Sequence, residues 1–434
     1  MKRYSFSKLI LFAALGSAGL SAVASETEAT KVRPATLDAL IAHALARNPE
    51  LRFYEGEIAA AKAARKTAGL LANPELNGSV GQKSVRGPGL GAEGVAWSVS
   101  VMQPFEWPGR IGLRKAIANR DIELAELGYE RFKLALVARV RALAFGLFAA
   151  QEKAATGREV ADRFQALREM LVQRDPAGLT PLLETRVIEA TELTMQRKAS
   201  EATMAAQAAL LELNQLRGAA PEAHLSVAST HLSFRPTESV ETLVALARTN
   251  NFELRVRAVE LAQQGFRAGL AKNERFPSIS VGPTISEERA GDRERIVGVG
   301  VSLPLPLWNR NKGNIEAAAA RQMQAEVSLN VVDREVQRKV VEAALTYETK
   351  LREMAKWRPD SAQLFREAAE LADRHYRLGA VPISTYIELQ KQYLEAIEGL
   401  LNTKKEALDS ALQLELLTGL VPPLANASAQ EEKK

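Results

Sequence analysis

The hydrophobic pattern of this chain changes its period in a fixed order. Residues 37–71 have the apolar spacing of a helix, and Thr36 is placed to cap its first turn. Pro49 lies inside this stretch, so we expect the helix to break or kink there. The residues that follow alternate apolar side chains with small or polar ones, which is the period of a strand. They predict two strands, at about 75–82 and 94–103.

A helix of unusual length is predicted after this pair of strands. Residues 109–174 contain no proline, and about 66 residues of helix would extend about 100 Å. A turn with Gly178 and Pro181 then leads into a return helix over about 182–217. Glycine suits the end of the long helix because it takes left-handed geometry without strain, and proline suits the start of the return helix.

The whole pattern occurs twice, at an offset of about 200 residues. Ala-Leu-Ala-Arg at 44–47 returns at 245–248, and the glycine of the first turn corresponds to Gly379. This period is too long for a solenoid, whose repeats have about 20 to 50 residues, so it indicates that one half-molecule was duplicated. We assign the first repeat to 25–230 and the second repeat to 231–422.

The second repeat has its own strands and its own long helix. The strands are predicted at about 278–287 and 295–305, and the long helix over 311–377. Residues 357–360 (Trp-Arg-Pro-Asp) interrupt that helix, where we expect a bend or a break. Pro382 follows the second turn and opens the second return helix.

The second return helix has two apolar stripes with coiled-coil spacing. Gln390 is the one polar member of the first stripe. Two stripes indicate a neighbour on each side, which is typical of a helix inside a closed ring. An elongated helical bundle with a wide apolar face is the alternative.

The four strands each have one apolar face and one small, polar face. Each is about ten residues long, which is enough to cross a bilayer when tilted, although soluble hairpins have the same pattern. Four strands cannot close a barrel in lipid, so several chains would have to contribute to one barrel. In that case Ser98 and Gly300 face the lumen. The lipid-facing residues are then Trp97, Val99, Val299 and Val301.

The two ends of the chain differ from the rest. Lys2-Arg3, an apolar run over 9–20 and Ala22-Val23-Ala24 have the order of a secretory signal, so we expect a signal peptide over 1–24 and cleavage before Ser25. The run is too short to span a bilayer, and a retained anchor helix is the alternative. No later stretch is apolar enough for a transmembrane helix, which leaves periplasm, outer membrane or medium. Residues 423–434 are predicted to be a disordered polar tail.

Composition excludes several kinds of chemistry. The chain has no cysteine, which excludes disulfides and thiolate metal sites, and its four histidines form no cluster with metal-ligand spacing. Net charge is only +5, and basic residues alternate with acidic ones, so no nucleic-acid partner is indicated. We find no phosphate loop, no nucleophile motif and no metal spacing, so we predict neither an enzyme nor a cofactor site.

Duplicated long helices with membrane-length hairpins between them resemble the TolC-like family of outer-membrane efflux channels, over residues 37–419. Segments 103–110 (QPFEWPGR) and 303–314 (LPLPLWNRNKGN) are most similar to its CzcC-like branch of heavy-metal efflux proteins. The resemblance implies a mainly α fold with a membrane β-barrel. Three protomers would each give four strands to a 12-stranded barrel, and their helical hairpins would form a periplasmic α-barrel.

The resemblance also implies partners and a function. The partners would be two further copies in a homotrimer, a periplasmic membrane-fusion adaptor, an inner-membrane RND pump and outer-membrane lipid. The protein would be a passive exit duct for heavy-metal cations. A periplasmic coiled-coil adaptor or scaffold is the alternative, although an adaptor normally has one helical hairpin flanked by β-rich domains, and this chain has two equivalent hairpins.

The junctions between strands and helices carry prolines and tryptophans. Proline removes backbone donors that would lose their partners where a strand becomes a helix. An indole at the same level can lie at the membrane interface, and packing in a core is the alternative. The junction residues are Pro104, Trp107, Pro108, Pro304, Pro306 and Trp308.

The resemblance places the gate at the periplasmic tips. The pore-narrowing acids of the family lie six and nine residues after the second tip glycine, which are Thr385 and Glu388 here. Thr385 is not acidic, so we expect at most one ring of three Glu388 carboxylates. The alternative is that Glu388 is an exposed helix residue paired with Lys391 or Gln392. The candidate gate and tip residues are Thr385, Glu388, Glu184, Gly178, Pro181, Gly379 and Pro382.

Overall fold

The computed structural model describes residues 35–87, 90–174, 182–225, 227, 232–358, 360–419 and 425–427. The first repeat contains α1 (Leu37–Arg47), α2 (Pro49–Ala68), β1 (Glu75–Gly87), β2 (Leu90–Phe105), α3 (Arg110–Arg174) and α4 (Leu182–Leu216). The second contains β3 (Leu232–Phe234), α5 (Val240–Asn250), α6 (Phe252–Asn273), β4 (Ile279–Ala290), β5 (Asp292–Ser302), α7 (Lys312–Met354), α8 (Ser361–Arg377) and α9 (Ile383–Thr418). β6 (Ala425–Ala427) follows the second repeat. The predicted signal peptide lies outside the described residues.

The predicted break at Pro49 is confirmed, and both repeats contain the same joint. Asn48 caps α2 and donates its side-chain amide to the Leu216 carbonyl at 3.0 Å. Asn251 caps α6 and donates to the Leu417 carbonyl at 2.9 Å. Each joint therefore fastens the first helices of a repeat to the end of its return helix.

The first long helix is continuous, as predicted. α3 contains 65 residues, which extend about 100 Å. It packs against α1, α2, α4, α6 and α9, so it touches elements of both repeats. No helix in the described part of the chain has a stretch long and apolar enough to cross a bilayer.

The second long helix breaks near the predicted position. α7 ends at Met354 and α8 begins at Ser361. At the break, Trp357 lies against α9, 3.5 Å from the position that a Cβ on Gly399 would take. Gly399 leaves room for the indole, and both α7 and α8 pack on α9 on either side of the break.

Four strands form one antiparallel sheet in the order β1-β2-β4-β5. The central pairing, β2 with β4, joins the two repeats. Two glycines permit its close approach, because a Cβ on Gly94 would strike the Arg289 carbonyl and one on Gly282 would strike the Val101 carbonyl. The sheet therefore ends in two edge strands, β1 from the first repeat and β5 from the second.

The strand ends differ from the prediction. β1 and β4 run on to Gly87 and Ala290, beyond the predicted strand ends at about 82 and 287. Charged side chains also pair across the sheet there, as Lys83 of β1 does with Glu288 of β4 at 2.7 Å. β5 stops at Ser302, short of the predicted end, because the prolines that follow cannot donate to a ladder.

The predicted disordered tail is wrong for residues 425–427. These residues form β6, which pairs antiparallel with β3, so that Leu232 faces Ala427 and Phe234 faces Ala425. The backbone of this part of the tail finds hydrogen-bond partners and is ordered. Strands of three residues are too short to show a period, which is why the pattern did not predict them.

Candidate channel-forming surfaces

The sheet separates small polar side chains from apolar ones. On one face the hydroxyls of Ser79 and Ser98 lie 2.8 Å apart, and Ser98 pairs with Ser286 on the next strand. On the other face Val80 is 82% exposed. The pairing register places on this second face the residues Trp97, Val99, Val299 and Val301. A broad exposed apolar face has the chemistry that contact with lipid requires, and the contact itself stays a prediction.

The polar face becomes charged toward the hairpin turns. Lys83 lies 2.7 Å from Glu288 and 3.5 Å from Glu294, on the face that carries the serines. One ammonium group is thus shared by two carboxylates. The small polar face therefore ends in a region of net negative charge.

The strand-to-helix junction is held by one arginine at the start of α3. Arg110 donates to the Asn273 side chain at 3.1 Å, to the Ser278 hydroxyl at 3.2 Å and to the Phe276 carbonyl at 2.6 Å. Beside it, Trp107 stacks on Phe276 with ring centroids 4.8 Å apart. The end of β2 is thus fixed to the linker between α6 and β4, across the two repeats.

A second arginine borders an open groove of about 740 Å³ at the same junction. Arg114 lies 2.5 Å from Glu106 and donates to the Leu70 carbonyl at 3.1 Å. Within this protomer neither junction indole is buried, since Trp107 is 40% and Trp308 is 93% exposed. These values argue against a role for either indole in the core of the protomer.

The second tip turn has the geometry that its glycine and proline predicted. Gly379 has φ of 73°, and the amide of Ala380 donates back to the His375 carbonyl at 2.9 Å. Pro382, with φ of −72°, is the cap residue at the start of α9. Gly178 and Pro181 of the first tip, and the side chain of Glu184, lie outside the described residues.

Thr385 and Glu388 lie one turn apart on the exposed side of α9. Tyr386 and Ile387 point the other way and are buried. Glu388 accepts a hydrogen bond from Gln392 at 2.8 Å, one of the two partners expected for an ordinary surface residue. The structure thus brings the two gate candidates together on one face, and a role for them in a pore stays a prediction.

A polar network joins α8 and α9 to α3. The Glu159 carboxylate on α3 accepts from Arg163 at 2.7 Å and from Arg366 of α8 at 3.3 Å, and the Tyr393 hydroxyl of α9 lies 3.5 Å from it. Arg163 also donates to Gln390 at 3.0 Å. The hydrogen bond to Tyr393 and the charge of Glu159 raise the pKa of Arg366. Three helices from two repeats therefore meet at one carboxylate.

A second carboxylate lies nearer the tip. Asp373 of α8 accepts from Arg377 at 2.8 Å and lies 3.5 Å from the Tyr386 hydroxyl. Burial, together with the charge of Asp373, raises the pKa of Tyr386 well above its usual range. Among the described residues, no group of three or more His, Asp or Glu side chains is placed to hold a metal ion.

Residues 40–219 and 243–420 match the family model described as outer membrane efflux protein. The chain belongs to this family. The resemblance drawn from the sequence is therefore confirmed, together with the outer membrane as the location and an α-barrel joined to a β-barrel as the fold. Because the family consists of outer membrane efflux proteins, the alternative of a periplasmic adaptor is not supported.

Two known proteins are similar to this chain in sequence, and one solved channel structure is similar to it in fold. The cobalt-zinc-cadmium resistance protein CzcC of Cupriavidus metallidurans is 25% identical over 297 residues, which are 68% of either chain. The pyoverdine export outer membrane protein OpmQ of Pseudomonas aeruginosa is 24% identical over 424 residues, covering 88% of this chain and 82% of OpmQ. The crystal structure of the CmeC outer membrane channel of Campylobacter jejuni matches with a TM-score of 0.70 at 16% identity, covering 88% of this chain and 85% of CmeC.

Sequence reasoning missed the charged residues of the polar network and of the junction. Gln390 interrupts an apolar stripe in the sequence, and in the structure it accepts a hydrogen bond from Arg163 of α3 at this position. Arg110 recurs as Arg310 in the second repeat, which was a usable signal. The pairing of Glu159 with Arg366 gave no signal, because the two residues lie on helices of different repeats, 207 positions apart.

Proposed function

We propose that this outer membrane efflux protein is the passive exit duct of a tripartite system and acts as a homotrimer. A periplasmic membrane-fusion adaptor and an inner-membrane RND pump would deliver solutes to it. One observation carries the proposal most directly. Within the described residues, the membrane-length sheet leaves β1 and β5 each paired on one side only.

Unpaired strand edges are not tolerated in the hydrocarbon region, because their backbone groups find no water there. A chain with four strands must therefore close its barrel with other chains, and three copies give the 12 strands that the family resemblance implies. The pairing of β2 with β4 supplies a model for the seam. It joins the second strand of one repeat to the first strand of the next, and β5 meeting β1 of another protomer would repeat it.

The inner surface of such a barrel suits transport without tight binding. Ser98, Ser286 and Gly300 lie on the small face, which the alternation assigns to the lumen. Hydroxyls and glycines leave space for hydrated solutes, and they provide few strong ligands. The net negative charge around Lys83 and Glu288 would attract cations to the outer mouth.

The test of the duct is assembly and conductance. The purified full-length protein should migrate as a trimer in unheated detergent, convert to monomers on heating and open channels in planar bilayers. A monomer that produces no channels would contradict the proposal.

At the other end, Thr385 and Glu388 are proposed to line the narrowest part of the periplasmic tunnel. Three symmetry-related Glu388 carboxylates would form a negative ring that attracts cations and resists closure by mutual repulsion. Glu388→Ala should lower cation selectivity and weaken block by divalent ions in single-channel recordings.

The chain offers a matched control for this variant. Glu367 of α8 is also exposed and accepts from a glutamine one turn away, Gln363, at 2.7 Å. Glu367→Ala removes the same charge and the same kind of hydrogen bond outside the proposed ring. Equal recordings from the two variants would place Glu388 outside the pore.

We further propose that the exported solutes are heavy-metal cations. The support is the similarity to CzcC, whose name refers to cobalt, zinc and cadmium resistance. Segment 303–314 of this chain, which leads into α7, also resembles the CzcC-like branch. OpmQ is named for pyoverdine export, so the cargo class needs its own test. A deletion strain should become sensitive to cobalt, zinc or cadmium salts, and not to organic toxins. Sensitivity to organic toxins alone would contradict the metal assignment.

A further inference from the structure

The apolar face of the sheet ends in arginines. Alternation continues from Val299 and Val297 to Arg295 and Arg293 on β5, and from Ile285 to Arg289 on β4. On β1 the same face ends in Arg86. The acids on this face are Glu93 and Glu287. Positive charge therefore exceeds negative charge immediately beyond the apolar band.

One buried carboxylate organises two of these arginines. Glu287 is only 4% exposed. It accepts from Nε of Arg289 at 3.1 Å and from Nη2 of Arg293 at 2.6 Å. The two arginine side chains remain 62% and 59% exposed. A guanidinium has five N–H donors, so each group keeps donors that can reach an acceptor outside the protein.

The position of this cluster in the membrane follows from the hairpin. β4 and β5 turn at Gly291, at the end of the sheet that lies away from α6 and α7. With the helices in the periplasm, as the proposed function requires, the arginines lie at the level of the outer leaflet and face the lipid. The cluster borders the apolar band directly, so an acyl chain and its headgroup could contact Val297 and Arg293 together.

The proposed seam brings another arginine to the cluster. If β5 meets β1 of the next protomer as β2 meets β4, Arg295 lies opposite Arg86 of that protomer. Like charges directly across two strands destabilise the pairing. An anion bound between them would remove this repulsion, and phosphate matches the forked geometry of guanidinium groups.

We propose that Arg289, Arg293 and Arg295, with Arg86 of the neighbouring protomer, bind the phosphate groups of outer-leaflet lipid headgroups. Glu287 positions two of the guanidinium groups for this contact. This inference rests on the proposed function, because it requires the trimeric barrel in the outer membrane. A lipid is the ligand, and not a free anion, because the cluster continues an exposed apolar face.

The test counts lipids on the intact protein. The full-length trimer in neutral detergent is mixed with lipid A that carries both phosphates, or with enzymatically dephosphorylated lipid A, and retained lipids are counted by native mass spectrometry. The trimer should prefer the phosphorylated form by about tenfold, and Arg289→Gln/Arg293→Gln should remove most of this preference. Inorganic phosphate should compete only weakly.

The matched control removes two exposed, ion-paired arginines from the helices. Arg197→Gln/Arg338→Gln makes the same charge change outside the sheet, since these residues pair with Glu201 and Glu342 on α4 and α7. It should retain the preference of the natural protein.

Conductance recorded on the same samples separates two kinds of failure. A conducting trimer that retains both lipids equally, or whose preference survives Arg289→Gln/Arg293→Gln, would overturn the lipid inference alone. A protein that forms neither trimers nor channels would overturn the proposed function, and the inference with it. If the double variant does not assemble, the natural protein alone still tests the inference, because it should retain more phosphorylated than dephosphorylated lipid A.

Discussion

The internal duplication predicts a register for the proposed seam between protomers. Within the chain, Val99 of β2 pairs with Ile285 of β4. When the prolines of the two repeats are aligned, Val99 corresponds to Val299 of β5, and Ile285 corresponds to Gln82 of β1. A seam that repeats the internal pairing therefore places Val299 opposite Gln82 of the next protomer.

Cysteines at these two positions test the register directly. The natural chain contains no cysteine, so Val299→Cys/Gln82→Cys introduces its only thiols. Residues directly opposite in an antiparallel pair have Cα atoms about 4.5–5.5 Å apart. A disulfide needs Cα atoms about 4.4–6.8 Å apart, so the bond should form without movement of the backbone. Oxidation should close three disulfides and yield a covalent trimer that survives boiling in non-reducing detergent.

Neighbouring positions provide controls for face and register. Val299→Cys with Gly81→Cys places the second thiol on the opposite face and should not crosslink. Val80→Cys or Ser84→Cys replaces Gln82→Cys by a diagonal neighbour, where the separation rises to about 7–8 Å and the yield should fall sharply. A higher yield with Val80 would mean that the seam is shifted by two residues. Failure of every pair in an assembled trimer would refute the pairing of β5 with β1.

Three further substitutions test how the helices are held. Asn251→Ala removes the cap of α6 and the hydrogen bond to the return helix, so it should lower the free energy of unfolding by about 1–2 kcal/mol, measured by denaturant titration. An unchanged free energy of unfolding would mean that this joint does not stabilise the fold. Arg141→Leu removes the guanidinium that lies 2.7 Å from buried Glu415, so it should lower the free energy of unfolding by about 3–5 kcal/mol. Arg141→Leu/Glu415→Leu leaves no unpaired charge and should lower it clearly less in the same titration. Equal losses of stability in the two variants would contradict this reasoning. Arg366→Ala removes the link from α8 to Glu159 and should raise the open probability in planar bilayers, and an unchanged probability would show that this link does not restrain opening.

The sequence was sufficient for the helices and for the two faces of the sheet. Pro49 broke a helix where expected, because proline acts locally on its own backbone, and the second long helix ended near Trp357 as predicted. Strand alternation likewise follows from a period of two. These features depend on neighbouring residues, so a single sequence contains the information.

Features that depend on distant partners could not be read in the same way. The ion pair of Lys83 with Glu288 joins β1 of the first repeat to β4 of the second repeat, across the intervening β2. β6 is ordered only because β3 lies beside it. In the sequence Glu159 resembles any other glutamate on a long helix, and only the structure shows that Arg366 of the second repeat pairs with it. Pairing of this kind is decided by three-dimensional packing, which local periodicity does not encode.

The two helical hairpins differ where the gate is proposed, although one was copied from the other. α3 continues unbroken and packs closely on α4, since a Cβ on Gly157 would lie 3.2 Å from Ala199. The second repeat breaks into α7 and α8, and part of its attachment to α3 is polar, through Glu159 and Arg366. A partly exposed ion pair contributes only about 0–1 kcal/mol, so exchanging it for water costs little. α9 is also held to α3 by a buried apolar cluster that includes Phe164 and Tyr386, so we expect α8 to separate from α3 more readily than α9 when the tunnel opens.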